Sequence, residues 1–142
     1  MKVPMKVDYG VRALVDLGQR HGGKAVTTGE IAERQNIPEP FLNQVLSTLG
    51  KFGLINSRRG PQGGYILAIP PEEISLGMVI RGLEGETALL ECITEPDCCT
   101  FSSICAQREV WSTVEDVIQG VLKSTTIADL VGRQEELRAI KV

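Results

Sequence analysis

The chain has 142 residues, 42% hydrophobic and 23% charged, with 15 Lys/Arg against 18 Asp/Glu. That length suits one ordinary domain, or a small domain with an oligomerisation element, and falls short of most two-domain enzymes. No apolar run approaches the roughly 18 residues of a membrane helix, Met1 to Gly10 lacks the apolar stretch of a secretory signal, and a cytoplasmic location is the expectation.

The first predicted element is a helix near residues 6–20, where Val7, Val11, Leu14 and Leu17 recur along one face. His21-Gly22-Gly23 ends it, with Gly supplying a left-handed cap. Thr27-Thr28-Gly29-Glu30 opens a second helix, since Thr27 and Glu30 have capping-box spacing. Ile31, Ala32 and Ile37 supply its apolar contacts, and Asn36 fits a C-terminal turn. Pro38-Glu39-Pro40 opens a third helix with Leu42, Val45, Leu46 and Leu49 as its buried stripe and Gly53 at its end. Two short helices joined by a tight turn, the second amphipathic, form the helix-turn-helix pattern. Leu54 to Ser57 and Tyr65 to Ile69 read as short strands, and the Gly/Pro-rich stretch between them makes a hairpin loop. Helix, helix-turn-helix and hairpin in that order predict a winged helix.

Pro70-Pro71 breaks the chain where its charge changes sign. Residues 1–70 hold nine Lys/Arg and five Asp/Glu, net +4; residues 71–142 hold six and thirteen, net −7. The net charge of −3 for the whole chain argues against a nucleic-acid partner, whereas the basic first half favours one. Beyond the boundary, Ser75 caps a short helix containing Leu76, Val79, Ile80 and Leu83, ended by Gly85. Residues 90–105 have no clear periodicity and read as a loop. A longer helix starts near Ala106, with Val110, Val114, Val117, Ile118, Val121 and Leu122 on one face. So long a stripe needs a partner, and the same helix of a second subunit is the simplest one. Thr125 to Leu130 starts one more short helix, and the charged tail to Val142 is expected to fray. The fold class is mainly α with a small β-hairpin. It divides into a winged helix-turn-helix over 1–70, a short helix and Cys-rich segment over 71–105, and a dimerisation helix with tail over 106–142.

A recognition helix sets its N-terminal polar residues against base edges in the major groove. The outward positions of the third helix include Glu39, Pro40, Asn43, Gln44, Ser47 and Thr48, and Thr28 stands at the start of the second. Asn and Gln pair with adenine, and Glu accepts from cytosine. In the loop, Arg58 and Arg59 can reach phosphates or a narrow minor groove, beside Gly60 and Pro61, and Lys51 adds a further phosphate contact. These residues predict binding to double-stranded DNA.

All four cysteines, Cys92, Cys98, Cys99 and Cys105, fall within 14 residues. A stapled secreted protein would spread them, so the cluster points to metal binding or redox sensing. Structural zinc uses close C-x2-C pairs, which are missing here. An iron–sulfur cluster and free thiols both remain open on spacing alone.

The chain resembles the Rrf2 family of bacterial transcription regulators. The resemblance covers roughly residues 1–130. It rests on Lys6-Val7-Asp8-Tyr9-Gly10-Val11-Arg12-Ala13-Leu14 in the first helix, and on Glu30-Ile31-Ala32 and Leu42-Asn43-Gln44-Val45-Leu46 in the helix-turn-helix. The wing segment Arg59-Gly60-Pro61-Gln62-Gly63-Gly64-Tyr65 is its most specific part, and Ile74 to Ile80 and the Cys segment running into Val110-Trp111 continue it. The resemblance implies a homodimer that binds a palindromic operator and usually represses. It also implies an iron–sulfur cluster, [2Fe–2S] ahead of [4Fe–4S], held by three cysteines best matched as Cys92, Cys99 and Cys105, with Cys98 as the other choice for the middle ligand. Some relatives use a His three residues after the last Cys, but Arg108 stands there and cannot ligate. Others use an acid of the first helix donated by the partner subunit, which here is Asp8; Cys98 or an exogenous ligand are the alternatives. The sensed signal would then be redox state, iron or nitric oxide. The competing expectation is a cluster-free regulator controlled by a metabolite, a partner protein or thiol oxidation. An enzyme is excluded by the single His21, the missing nucleotide-binding loop and the missing Ser-His-Asp or metal-His set.

Overall fold

A computed structural model describes residues 1–141. Helix α1 (Met5–Gln19) starts at Pro4, whose carbonyl accepts from the amides of Val7 and Asp8 at 3.0 and 3.1 Å. It buries Val7, Leu14 and Leu17 of the expected stripe, leaves Val11 half-buried, and adds Gly10, Ala13 and Asp16. Helix α2 (Thr28–Gln35) is capped by Thr27, whose hydroxyl accepts from the Glu30 amide at 3.2 Å. Asn36 closes it in the left-handed conformation with φ 52°, a strained position that Asn tolerates. Helix α3 (Glu39–Lys51) follows Pro38 and buries the four residues its periodicity indicates, Leu42, Val45, Leu46 and Leu49.

Strands β1 (Ile55–Arg58) and β2 (Gly64–Leu67) pair antiparallel, with Ile55 opposite Leu67 and Arg58 opposite Gly64. Each strand differs from its expected span by a residue or two. Leu54 is taken by the end of α3, where its amide donates to the Leu49 carbonyl at 3.1 Å. One isolated β-bridge has no counterpart in the sequence pattern. Val26 and Tyr65 exchange two backbone hydrogen bonds, at 2.9 and 2.7 Å, so the residues just before α2 extend the hairpin.

Past Pro70, a 3-10 turn (Pro71–Glu73) leads to α4 (Leu76–Glu84), where the Ser75 hydroxyl accepts from the Met78 amide at 3.2 Å. Ile74, Val79, Leu83 and Ile127 share one buried cluster with the winged helix, so core residues come from both sides of Pro70-Pro71. The cysteine segment is more regular than the expected loop. It folds as α5 (Glu91–Thr94) and two 3-10 turns, Pro96–Cys98 and Ser102–Ile104. Each is a single turn closed by local bonds such as Ile104 N to Phe101 O at 3.0 Å, too short to show a period. Helix α6 (Ala106–Ser124) buries none of its residues fully.

The C-terminal segment departs most from expectation. Instead of a short start and a fraying tail, α7 (Ile127–Lys141) runs 15 residues and packs along α1. Thr126 and Asp129 cap it reciprocally, Asp129 N to Thr126 Oγ1 at 3.1 Å and Thr126 N to Asp129 Oδ2 at 2.9 Å. Its amphipathic signal is weak because only its first turns pack inward, through Ile127, Leu130 and Val131, while Leu137 and the arginines beside it are exposed. Val142, the last residue of the expected tail, lies outside the described residues.

Candidate DNA interface and cysteine segment

Three parts of the expected interface converge on residues 26–29. The Glu39 carboxylate at the start of α3 lies over the first turn of α2, its oxygens 3.9 and 4.0 Å from where a Cβ on Gly29 would stand. The wing root docks there too. Gly64, with φ 146°, packs so tightly on Val26 that a Cβ would collide with the Val26 carbonyl, and it would lie 2.9 Å from the Thr27 amide. The base of the hairpin is therefore fixed to the start of α2 through backbone, and the Glu39 side chain lies beside that junction. Thr28 is half-buried at this junction, while Glu39, Pro40, Asn43 and Gln44 are exposed. Thr48 is turned back: it is half-buried and its hydroxyl donates to the Gln44 carbonyl at 3.1 Å.

At the wing tip Arg58, Arg59, Gly60 and Pro61 are all exposed. The turn is tight. The Gly63 amide donates to the Gly60 carbonyl at 2.9 Å, and a Cβ on Gly63 would stand 2.8 Å from that oxygen. Gly60 itself has φ 107°. Lys51 is exposed at the end of α3.

The anchorage of α2 depends on residues that periodicity does not single out. Asp16 is fully buried on α1. Arg34 grips it with two nitrogens, Gln35 Nε2 donates to it at 3.1 Å, and an Arg20 nitrogen stands 3.5 Å away. Burial pushes its carboxyl up, but the hydrogen bonds of Arg34 and Gln35 and the charges of Arg34 and Arg20 outweigh this and hold it below the usual carboxylate range. The available signal was an acid on the buried face of α1, three residues after Ala13. One turn earlier, Arg12 donates to the Gln35 carbonyl at 2.9 Å and holds Asp8 by two bonds of 3.1 and 2.7 Å. Its guanidinium lies 5.2 Å from the Tyr9 ring centre, and Tyr9 meets Phe41 of α3 edge-on at 5.4 Å.

Asp8 is exposed, and chiefly the Arg12 hydrogen bond holds its carboxyl below the usual range. All four cysteines are free thiols; Cys92 and Cys105 are half-buried, Cys98 and Cys99 exposed. Local desolvation, then the nearby carboxylates Glu91 and Glu95, pushes the Cys98 thiol up. Arg108 fastens the segment to α6, its Nε donating to the Cys92 carbonyl at 3.0 Å. Among the described residues of one protomer, no three His, Cys, Asp or Glu side chains are gathered in a way that could hold a metal ion. The expected ligands Cys92, Cys99, Cys105 and Asp8 are thus not brought together in the structure.

The family model described as Rrf2, an iron-dependent transcriptional regulator, matches residues 3–133. The chain belongs to the Rrf2 family. It is 35% identical over 139 residues to the HTH-type transcriptional regulator CymR of Bacillus subtilis, covering 95% of this chain and 96% of that one. It is 32% identical over 141 residues to the regulator NsrR of Bacillus licheniformis, covering 99% of each. The solved structure of B. subtilis CymR, described as the global cysteine regulator of that organism, superposes with a TM-score of 0.83 at 34% identity over 94% of this chain and 98% of that one. The structure of T. potens IscR gives 0.80 at 40% identity over 96% and 90%. This Rrf2 protein is a transcriptional regulator with a mainly helical winged-helix fold, and its matched relatives are regulators rather than enzymes. No helix among the described residues is long and apolar enough to cross a membrane.

Proposed function

We propose that this Rrf2 regulator acts in the cytoplasm as a homodimeric repressor of a palindromic operator, with the cysteine segment as its sensor. The convergence of α2, α3 and the wing root on residues 26–29 carries the DNA reading. Asn43 and Gln44 would then meet base edges, with Glu39, Pro40 and Thr28 contacting the DNA from the starts of the two helices. Arg58, Arg59 and Lys51 supply charge for phosphates, with Gly60 and Pro61 shaping the wing tip. The dimer reading rests on α6, where Val110, Val117 and Val121 are 61%, 63% and 57% exposed along one face. Anisotropy titration of labelled operator across a salt series tests the DNA reading. Affinity independent of sequence and salt would overturn it.

The donor set suits an iron–sulfur cluster in chemical type: three thiols in one segment and a carboxylate on α1. Cys92, Cys99 and Cys105 would hold it, with Asp8 of the partner subunit as fourth donor. Bound there, it would supply a centre responsive to redox state, iron or nitric oxide. The family's description as iron-dependent supports this reading. So does the absence of any fully buried residue from 91–105, which leaves the segment free to rearrange around the donors. In the structure Asp8 is held by Arg12, so binding would require Arg12 to release one or both of its bonds. Protein purified without oxygen should absorb between about 320 and 460 nm with stoichiometric iron and sulfide, the band shape separating [2Fe–2S] from [4Fe–4S]. Cys92→Ala should be colourless.

The likeness to CymR, described as a global cysteine regulator, and the exposed thiol of Cys99 beside a second cysteine favour a second reading, control by thiol oxidation without a cluster. Colourless, iron-free wild-type protein whose operator affinity changes with peroxide and recovers with dithiothreitol would establish it in place of the first.

A further inference from the structure

A pocket of about 330 Å³ opens between α1, the last turn of α2 and α7. Its volume is that of a small-ligand site. Four arginines line it, Arg12, Arg34, Arg133 and Arg138, and among the described residues no Asp or Glu does. This is unusual in a chain with more acids than bases, most of them in the half that contributes α7. Val11, Val15, Leu130 and Leu137 give it an apolar wall. Gln19 on α1 also lines it, and its buried Nε2 has no hydrogen-bond partner among the described residues. A buried donor without a partner is costly unless a ligand or water meets it.

The four arginines differ in what they can offer. Arg12 and Arg34 are held by Asp8 and Asp16 outside the lining, which offset their charge and fix their position. Arg133 is engaged only by Glu136 one turn along α7, at 2.8 Å, with both side chains 60% or more exposed. Such a surface pair is weak and readily redirected. We infer that this pocket binds a small multivalent organic anion, a phosphate ester or a polycarboxylate, whose charged groups meet Arg133 and Arg138 and whose carbon skeleton lies on the valine and leucine wall. Guanidinium forks match both oxyanions bidentately. The inference is independent of the cysteine segment. Because Arg34 and Gln35 belong to α2, a ligand here ties α7 to the helix-turn-helix and becomes an input to operator binding.

The test is thermal unfolding of the full-length protein with fructose 1,6-bisphosphate or with tricarballylate, each against sodium chloride of equal ionic strength. At saturating ligand a Tm rise of about 3–6 °C is expected from one or both probes. A rise with one probe alone assigns the class, and a rise with both assigns the site to multivalent charge. The rise should vanish in Arg133→Ala/Arg138→Ala and in Gln134→Glu, which places a carboxylate in the lining. It should persist in Arg58→Ala/Arg59→Ala. No rise with either probe overturns the proposal. A rise that survives both pocket variants, or that disappears with the wing arginines, also overturns it, because the anion then binds elsewhere.

Discussion

Arg34 holds Asp16 through two parallel hydrogen bonds, Nε to Oδ2 at 3.0 Å and a terminal nitrogen to Oδ1 at 2.8 Å, across the junction of α1 and α2. Asp16 is buried, so this pair fixes the first helix of the helix-turn-helix to the core through a charge that water cannot reach. Removing Arg34, itself partly exposed, leaves the buried Asp16 with only the Gln35 bond at 3.1 Å and the Arg20 nitrogen at 3.5 Å to offset its desolvation. Arg34→Met should lower unfolding free energy by about 1–2 kcal/mol in urea titration. Asp16→Asn, which keeps one acceptor oxygen for Arg34 and Gln35, should cost less.

The same carboxylate sets an acid limit. Its folded pKa lies below the ordinary value, so its contribution to stability is complete above the unfolded carboxylate range, near about 4, and is lost as pH falls through the folded value. The Tm difference between wild type and Asp16→Asn should therefore be constant from pH 7 to 5 and close below about pH 4. A gap that widens on acidification would contradict the depressed pKa.

The legible parts of this molecule are those in which one segment alone determines the outcome. Leu42, Val45, Leu46 and Leu49 share a face by helical geometry, and Arg59 to Gly63 is a loop because Gly and Pro permit little else. The illegible parts depend on partners far along the chain. Asp16 is satisfied from 18 residues away, and Val26 joins the hairpin through Tyr65. Helix α7 gains its order from α1, on the opposite side of the sequence, and gives little apolar signal because only its first turns pack inward, through Ile127, Leu130 and Val131. The cysteine turns close within three or four residues, below the length at which periodicity exists.

Gly64 tests the Val26 contact. Its φ of 146° disfavours any L side chain, and a Cβ would meet the Val26 carbonyl, a backbone atom that cannot swing aside. Gly64→Ala should cost about 2 kcal/mol or more and loosen the wing root. Hydrogen exchange should quicken at the Val26 and Tyr65 amides. Gly120→Ala on α6, where a Cβ meets open space, is the matched control and should be neutral or mildly stabilising.

The DNA surface separates into two kinds of contact under mutation. Arg58→Ala and Arg59→Ala should weaken all DNA sequences alike and each reduce the slope of log affinity against log salt by about 1. Asn43→Ala should leave that slope unchanged and lower operator affinity roughly 10- to 100-fold, relaxing preference at one base pair. A salt slope that stays fixed without the wing arginines would remove phosphate contact from their role.

The valines of α6 decide whether that affinity needs two protomers. Val117 and Val121 lie one turn apart, and with Val110 they present branched apolar side chains to solvent in the single chain. The neighbouring face of the same helix, through Ile118 and Leu122, is turned toward α4. The valine face is therefore available to a second copy without disturbing the fold. A charge placed there would be stranded inside a dimer interface, yet it would sit in water in a monomer. Val117→Glu should run as a monomer in analytical ultracentrifugation with its helical circular dichroism preserved. It should lose binding to a two-half-site operator far more than to a single half-site, because only the dimer engages both halves at once. If the variant remains dimeric, the interface lies elsewhere and the valine face must serve a different partner.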